Sequence, residues 1–263
     1  MELGLKGKVA IVAASSKGLG KACAMGLASE GTRVAMCART EAELIHAAND
    51  VREKTKAEAL AVSADVTKLA DIQRVVAKTV EAFGGVDILV TNAGGPPPGL
   101  FDQMTDAQWQ AAFELNLLST IRFIREVLPH MRKKRWGRIV NIQSSSVKQP
   151  IDGLILSNTL RPGVVGLAKT LSVELAKDNI LINTVCPGII LTDRLRTFVA
   201  HRAREVGKSF EEYLPTWVAN VPLGRIGSPE ELATMVVFLA SERASYVTGV
   251  TVQVDGGLIR SLP

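Results

Sequence analysis

The sequence predicts a single-domain α/β fold, a doubly wound parallel sheet of seven strands with helices on both faces. Three observations carry that prediction. Apolar runs of strand length alternate with segments of helical spacing from one end of the chain to the other, and that rhythm implies right-handed βαβ crossovers. The opening unit passes from an apolar strand through a small-residue turn into a helix, which sets unpaired N–H groups and a positive dipole end at the edge of the sheet. The 263 residues contain no internal repeat, low-complexity tract or linker, and α/β folds of this length are routinely one domain.

The first strand is VAIVA at 9–13. It enters the turn Ser15-Ser16-Lys17-Gly18-Leu19-Gly20, after which Leu19, Cys23, Met25 and Leu27 mark a helix over 18–29. Short, mostly apolar runs place the remaining strands at 33–37, 59–62, 86–90, 138–142, 181–185 and 251–254. Helices fill the intervals at 41–54, 68–83, 106–133, 157–176 and 229–240. Residues 193–222 break the rhythm: they carry charges, His201, Tyr213 and Trp217 without a strand pattern. They read as a lid inserted after the sixth strand, and long insertions in compact domains tend to be functional.

Composition narrows the function classes. No stretch is long and apolar enough to span a membrane, and the N-terminus lacks a signal-peptide pattern. The formal charge of +5 is modest. Its densest basic run, Arg132-Lys133-Lys134-Arg135 with Arg138 just after, falls where a helix gives way to a strand. That position suits a solvated helix end favoured by the dipole better than a nucleic-acid patch. Cys23, Cys37 and Cys186 are odd in number, widely spaced and in apolar contexts. They read as reduced core residues of a cytoplasmic protein, with no metal site and no disulfide frame.

In a sheet of this kind ligands bind at the C-terminal ends of the strands. The first strand ends in the glycine turn with Lys17, and the second at Ala38-Arg39-Thr40. A fold selecting NAD places an acidic residue there for the ribose 2′-hydroxyl. Arg39 instead suits a 2′-phosphate, with Lys17 as a second cation, so NADP(H) is favoured over NAD(H). The bland alternative is a pair of surface cations. The third strand leads to Asp65-Val66, the fourth to Asn92-Ala93-Gly94-Gly95, the fifth to Asn141-Ile142-Gln143-Ser144, and the sixth to Pro187-Gly188 and Thr192.

These segments, with Asn116 and the tail Tyr246-Val247-Thr248-Gly249 through Val254-Asp255-Gly256-Gly257, resemble the short-chain dehydrogenase/reductase family. The likeness is greatest to 3-oxoacyl-acyl-carrier-protein reductases, and it covers essentially the whole chain in order and spacing. It implies a Rossmann-type sheet and hydride transfer between a carbonyl and an alcohol. It also implies a nicotinamide cofactor held by Ser16, Lys17, Gly18, Leu19, Gly20, Arg39, Asp65, Val66, Asn92, Ala93, Gly94, Arg161, Pro187, Gly188 and Thr192. A homotetramer built through the two long central helices and the C-terminal strand is the assembly the resemblance implies.

Two departures stand out. Where the family reads TGxxxGxG, this chain reads Ala13-Ala14-Ser15-Ser16-Lys17-Gly18-Leu19-Gly20. A Cβ at Ala14 is harmless if φ is negative and costly if it is positive. The family tetrad is Asn, Ser, Tyr and Lys. Asn116 and Ser144 match, but the Tyr position holds Ser157 and the Lys position holds Arg161, with Gly163-Val164-Val165-Gly166-Leu167 following in register. Serine can donate a hydrogen bond but is a far weaker acid than tyrosine, whose reference pKa is near 10. Arg161 keeps a positive charge yet stays protonated. Pro162 directly after it suits the first turn of a helix, which predicts a helix that starts late or is kinked, with Ser157 or Asn158 outside it.

Substitutes for the missing phenol are sparse. Tyr213 and His201 lie in the lid, Lys148 and Asp152 follow the fifth strand, and Tyr246 sits in the tail motif as a structural residue. Pro96-Pro97-Pro98 stiffens a loop beside the nicotinamide end. Leu154, Ile155, Leu156 and Leu191 suit a partly apolar ligand or the core equally. Two functional readings follow. One is an NADP(H)-dependent carbonyl/alcohol oxidoreductase acting on a small molecule or acyl thioester. The other is a nucleotide-holding oligomer without chemistry, serving as a sensor or partner subunit.

Overall fold

In the computed structural model, which describes residues 2–261, the apolar runs form seven strands: β1 (Val9–Ala13), β2 (Arg33–Ala38), β3 (Ala59–Ser63), β4 (Ile88–Thr91), β5 (Gly137–Ile142), β6 (Ile180–Pro187) and β7 (Thr251–Val254). All pair in parallel, in the order β3-β2-β1-β4-β5-β6-β7. The order reverses between β1 and β4, which is the switch point where such sheets bind ligands.

Period-two alternation sends Ala10 and Val12 to one face and Val9, Ile11 and Ala13 to the other. Helices α1 (Gly18–Ser29), α2 (Glu41–Thr55) and, from the far end of the chain, α9 (Pro229–Ala240) cover the first face. Helices α3 (Leu69–Phe83), α5 (Ser119–Lys134) and α6 (Ile155–Glu174) cover the second. Both faces are therefore buried, as crossovers of one hand require. The expected fold class is the observed one.

Three local expectations need correction. The single helix expected over 106–133 is α4 (Asp106–Phe113), a π turn over Glu114–Leu118, then α5. Periodicity alone cannot see one inserted residue per turn, and the π turn holds Asn116. The helix expected to start late begins at Ile155, so Ser157 and Asn158 lie inside it and Pro162 sits in its interior. Proline there removes the N–H that the Asn158 carbonyl would accept. Burial of Leu156, Val164 and Ala168 beneath the helix offsets that loss. Finally, Arg138 leaves the basic run for the interior: it is 2 % exposed, stacked on Trp136 with its guanidinium carbon 4.4 Å from the ring centre. The rest of that run behaves as a helix end, with Arg132 on Asp178 at 3.2 Å and Lys134 on Asp87 at 2.6 Å.

The region 193–222 folds as two helices, α7 (Asp193–Glu205) and α8 (Phe210–Val218). Its ends are stapled together: Leu191 N–H donates to the Gly227 carbonyl at 2.8 Å, and Gly227 N–H to the Ile189 carbonyl at 3.0 Å. The pair thus leaves and rejoins the sheet at one point beside the C-terminal strand ends. None of the helices in the described residues is long and apolar enough to cross a membrane.

Candidate active site and nucleotide cleft

The glycine turn hangs from β1 by a buried serine. Ser15 donates its hydroxyl to the Val12 carbonyl at 2.8 Å and accepts from Cys37 N–H at 3.1 Å, which fixes the start of the turn against β2. Ala14 before it has φ +48°, so the costly alternative holds: a side chain occupies the left-handed region at roughly 1–2 kcal/mol. Gly20 explains why the turn tolerates no further bulk, since a Cβ there would drive into the Ala14 carbonyl. Asn92, at the end of β4, donates its amide to that same carbonyl at 3.3 Å.

Helix α1 starts at Gly18 with Lys17 at its N-cap, and no side chain caps the first turn. Its leading N–H groups therefore suit a pyrophosphate, with Ser16 and Leu19 alongside, and this donor set fits a dinucleotide. Thr192 faces the same turn, its methyl 3.5 Å from where a Gly18 Cβ would stand, while its hydroxyl caps α7 through Leu195 N–H at 3.2 Å. Gly188 closes the far side because Asp255 packs directly against it. Pro187, the residue before it, ends β6.

At the end of β2 the exposed Arg39 has no hydrogen-bond or ion-pair partner on its side chain among the described residues. Lys17 is different: its ammonium lies 3.5 Å from the Glu43 carboxylate in the first turn of α2. Sequence reasoning missed Glu43, although an acidic residue one helical turn past Arg39 was there to be read. Beyond β3, Asp65 uses one carboxylate oxygen to accept from both the amide and the hydroxyl of Thr67, at 3.0 and 2.8 Å. Val66 beside it is buried. Ala93 and Gly94 continue from Asn92 into the proline loop.

The four tetrad positions split between three elements. Asn116 is 3 % exposed in the π turn; its amide donates to the Ala112 carbonyl at 3.2 Å, and its Oδ1 is buried without a partner. Ser144 follows β5 and accepts from Ser146 N–H at 3.1 Å. Ser157 and Arg161 lie one turn apart on α6, 6 % and 7 % exposed. The Ser157 hydroxyl is 3.3 Å from that of Ser146, and Arg161 donates to the Gln143 backbone carbonyl at 3.1 Å. Ser146 and Gln143 were not anticipated, though both flank Ser144 in the sequence. Burial pushes the neighbouring Cys186 thiol up to about 11, so it adds no nucleophile.

Other candidates stand apart. His201 pairs with Glu205 at 3.5 Å on the outer surface of α7, and Asp152 is exposed. Tyr213 is half-buried in α8, and Lys148 half-buried after β5. Tyr246 is fully exposed, so its ring takes no part in the packing of the described residues. Leu156 belongs to the core at 0 % exposure, while Leu154, Ile155 and Leu191 are half-buried.

The family model described as Enoyl-(Acyl carrier protein) reductase matches residues 13–259. The chain is a short-chain dehydrogenase/reductase. Among its relatives, the 3-oxoacyl-[acyl-carrier-protein] reductase FabG of Aquifex aeolicus (strain VF5) is 36 % identical over 258 residues, 98 % of this chain and 100 % of that protein. The L-sorbose reductase of Gluconobacter frateurii, solved with NADPH and L-sorbose, superposes with a TM-score of 0.97 at 36 % identity over all of both chains. A variant actinorhodin polyketide ketoreductase solved with NADPH gives 0.92 at 36 % identity, covering 97 % of this short-chain dehydrogenase/reductase and 98 % of that chain.

Proposed function

We propose that this chain is an NADP(H)-dependent carbonyl/alcohol oxidoreductase in which serine hydroxyls and a buried guanidinium replace the usual tyrosine and lysine. The observation that carries the reading is the polar centre beneath the cleft: Ser146, Ser157 and Arg161 are all buried there, the two serine hydroxyls paired at 3.3 Å and Arg161 bonded to the Gln143 carbonyl. A guanidinium is costly to bury, and one set a helical turn from Ser157 is suited to stabilising a developing negative charge. Relatives solved with NADPH, an L-sorbose reductase and a polyketide ketoreductase, support the cofactor.

Ser16, Gly18, Leu19 and Gly20 would hold the pyrophosphate, Arg39 and Lys17 the 2′-phosphate, and Arg161 the nicotinamide ribose. Asp65 and Val66 would hold the adenine end. Asn92, Ala93, Gly94, Pro187, Gly188 and Thr192 would line the remainder. When bound, the cofactor supplies a hydride. Ser144 donates a hydrogen bond to the substrate oxygen. The Ser157–Ser146 hydroxyl pair passes a proton toward it, with Asn116 positioned to hold water behind, and Arg161 stabilises the developing alkoxide through its charge. Without a phenol the rate falls by on the order of 10²–10⁴ relative to a complete tetrad. The α7–α8 pair serves as the lid of a single domain spanning 1–263, and the three reduced, buried cysteines accord with a cytoplasmic setting. The half-exposed edge strand β7, with Val173 and Tyr246 exposed nearby, supports a homotetramer.

The deciding experiment is a fluorescence titration with NADPH and NADH, followed by a panel of 3-oxoacyl thioesters, ketones and diketones. Turnover that falls in Ser144→Ala and in Arg161→Ala is the expected result. Saturable NADPH binding with no turnover against the whole panel would instead establish the nucleotide-holding oligomer, the reading favoured by Ser157 and Arg161 standing where the family tetrad has Tyr and Lys.

A further inference from the structure

Helix α6 begins without a cap of its own. Leu154 occupies the N-cap and makes no side-chain bond to the first turn. The residue that closes this end is Asn158, one turn inside the helix. Its Oδ1 accepts from Ile151 N–H at 3.1 Å and its Nδ2 donates to the Ile151 carbonyl at 2.9 Å. Both backbone groups of one loop residue are thus held by one side-chain amide. Beyond Ile151 the loop meets the opposite rim. Gly99 N–H, just after the three prolines, donates to the Gly153 carbonyl at 2.6 Å, and Gly99 pairs with Leu154 as an isolated parallel bridge. The loops after β4 and β5 are thereby stitched across the substrate end of the cleft.

We propose that Asn158 is a positioning residue that locks these two rim loops into one preformed wall beside Ser157. Two features concentrate the load on its side chain. Pro162 cannot donate to the Asn158 carbonyl, so the backbone of this turn is held less well than in an ordinary helix. Asp152 is exposed, Gly153 has φ +72°, and the further bond to the Ile151 carbonyl is a local one, from Leu154 N–H at 3.2 Å. An amide that donates and accepts at once is the side chain that can bond both groups of a peptide residue. Serine, one carbon shorter, could not span them.

The test is amide hydrogen exchange on the full chain, comparing wild type with Asn158→Ala and the isosteric Asn158→Asp. At neutral pH the aspartate keeps the acceptor for Ile151 N–H but loses the donor and sets a carboxylate against the Ile151 carbonyl. Protection of both Ile151 and Gly99 is expected to fall in Asn158→Ala, on the order of tenfold or more for two lost bonds, while in Asn158→Asp, which loses the donor alone, the fall is expected at Gly99. Amides of β1 and α1 should keep wild-type protection, which controls for misfolding. Unchanged protection at Gly99 in Asn158→Ala would overturn the proposal, because the clamp would then be local to Ile151. Wild-type protection of Gly99 in Asn158→Asp would overturn it too, since the acceptor alone would then suffice without the second bond of the clamp. A kinetic consequence rests on the oxidoreductase reading: with acetoacetyl-CoA as probe, Asn158→Ala raises KM several-fold while the NADPH Kd stays fixed. If wild type shows no turnover, that reading fails, and the exchange arms still decide the clamp.

Discussion

Ala14 carries the clearest energetic signature of any single residue. Its φ of +48° places a Cβ where glycine is the ordinary occupant. Ala14→Gly should therefore stabilise the chain by about 1 kcal/mol, the relief of left-handed strain less the added freedom of the unfolded chain. Urea unfolding of the two proteins measures it. Glu43 sets a second residue-scale expectation. Its carboxylate lies 3.5 Å from the Lys17 ammonium, both well exposed, so a 2′-phosphate must compete for that cation. Glu43→Gln should tighten NADPH binding a few-fold and leave NADH binding unchanged, since exposed pairs are worth about 0–1 kcal/mol. Parallel titrations of the two nucleotides would show it, and equal tightening of both would refute it. Residues were legible where their backbone setting was local: Gly18 and Gly20 sit where β1 turns into α1, and Asn92 directly follows β4. Ser146 and Gln143 were not, because their partners on α6 come from residues well down the chain.

Helix ends repeat one device. Ser228 caps α9 through Glu231 N–H at 3.3 Å, and Glu231 returns a bond from Ser228 N–H at 2.8 Å. Arg225 adds two more donors to the same carboxylate, at 2.9 and 2.6 Å. Chiefly through Arg225, then through Ser228, the Glu231 carboxyl falls from its ordinary 4.5 to about 2. A lowered acid stabilises the fold above its unfolded value. That contribution is complete above pH 4.5 and lost as the pH falls toward 2. Carboxyl NMR should show Glu231 titrating near 2, and Glu231→Gln should flatten the acid limb of the stability curve. The π turn shows the limit of pattern reading at this scale. An apolar stripe continues through 106–133, and nothing in its spacing marks the five residues whose wider turn carries Asn116. Pro162 misled in the opposite direction: the local rule was sound, but tertiary packing overrode it.

At the scale of the molecule, the sheet was legible because burial on both faces writes long apolar runs into every strand. Assembly leaves a fainter trace. Val173 on α6 is 77 % exposed, and Tyr246 contributes nothing to its own chain. If these residues meet a second copy, Val173→Asp should reduce the particle below the mass of four 28.2 kDa chains in sedimentation while leaving the monomer's circular dichroism intact. A wild type that already sediments as one chain would refute the tetramer.

The three thiols have a use beyond their packing. Burial lifts Cys23 and Cys37 to about 12 and Cys186 to about 11. They sit on α1, β2 and β6, spread across the sheet. The native protein should thus resist alkylation at mildly alkaline pH, and each thiol becomes a clock for the opening of its own neighbourhood. Pulsed with iodoacetamide and read by mass, the chain would report, without any introduced label, whether α1, β2 and β6 come apart together or in turn.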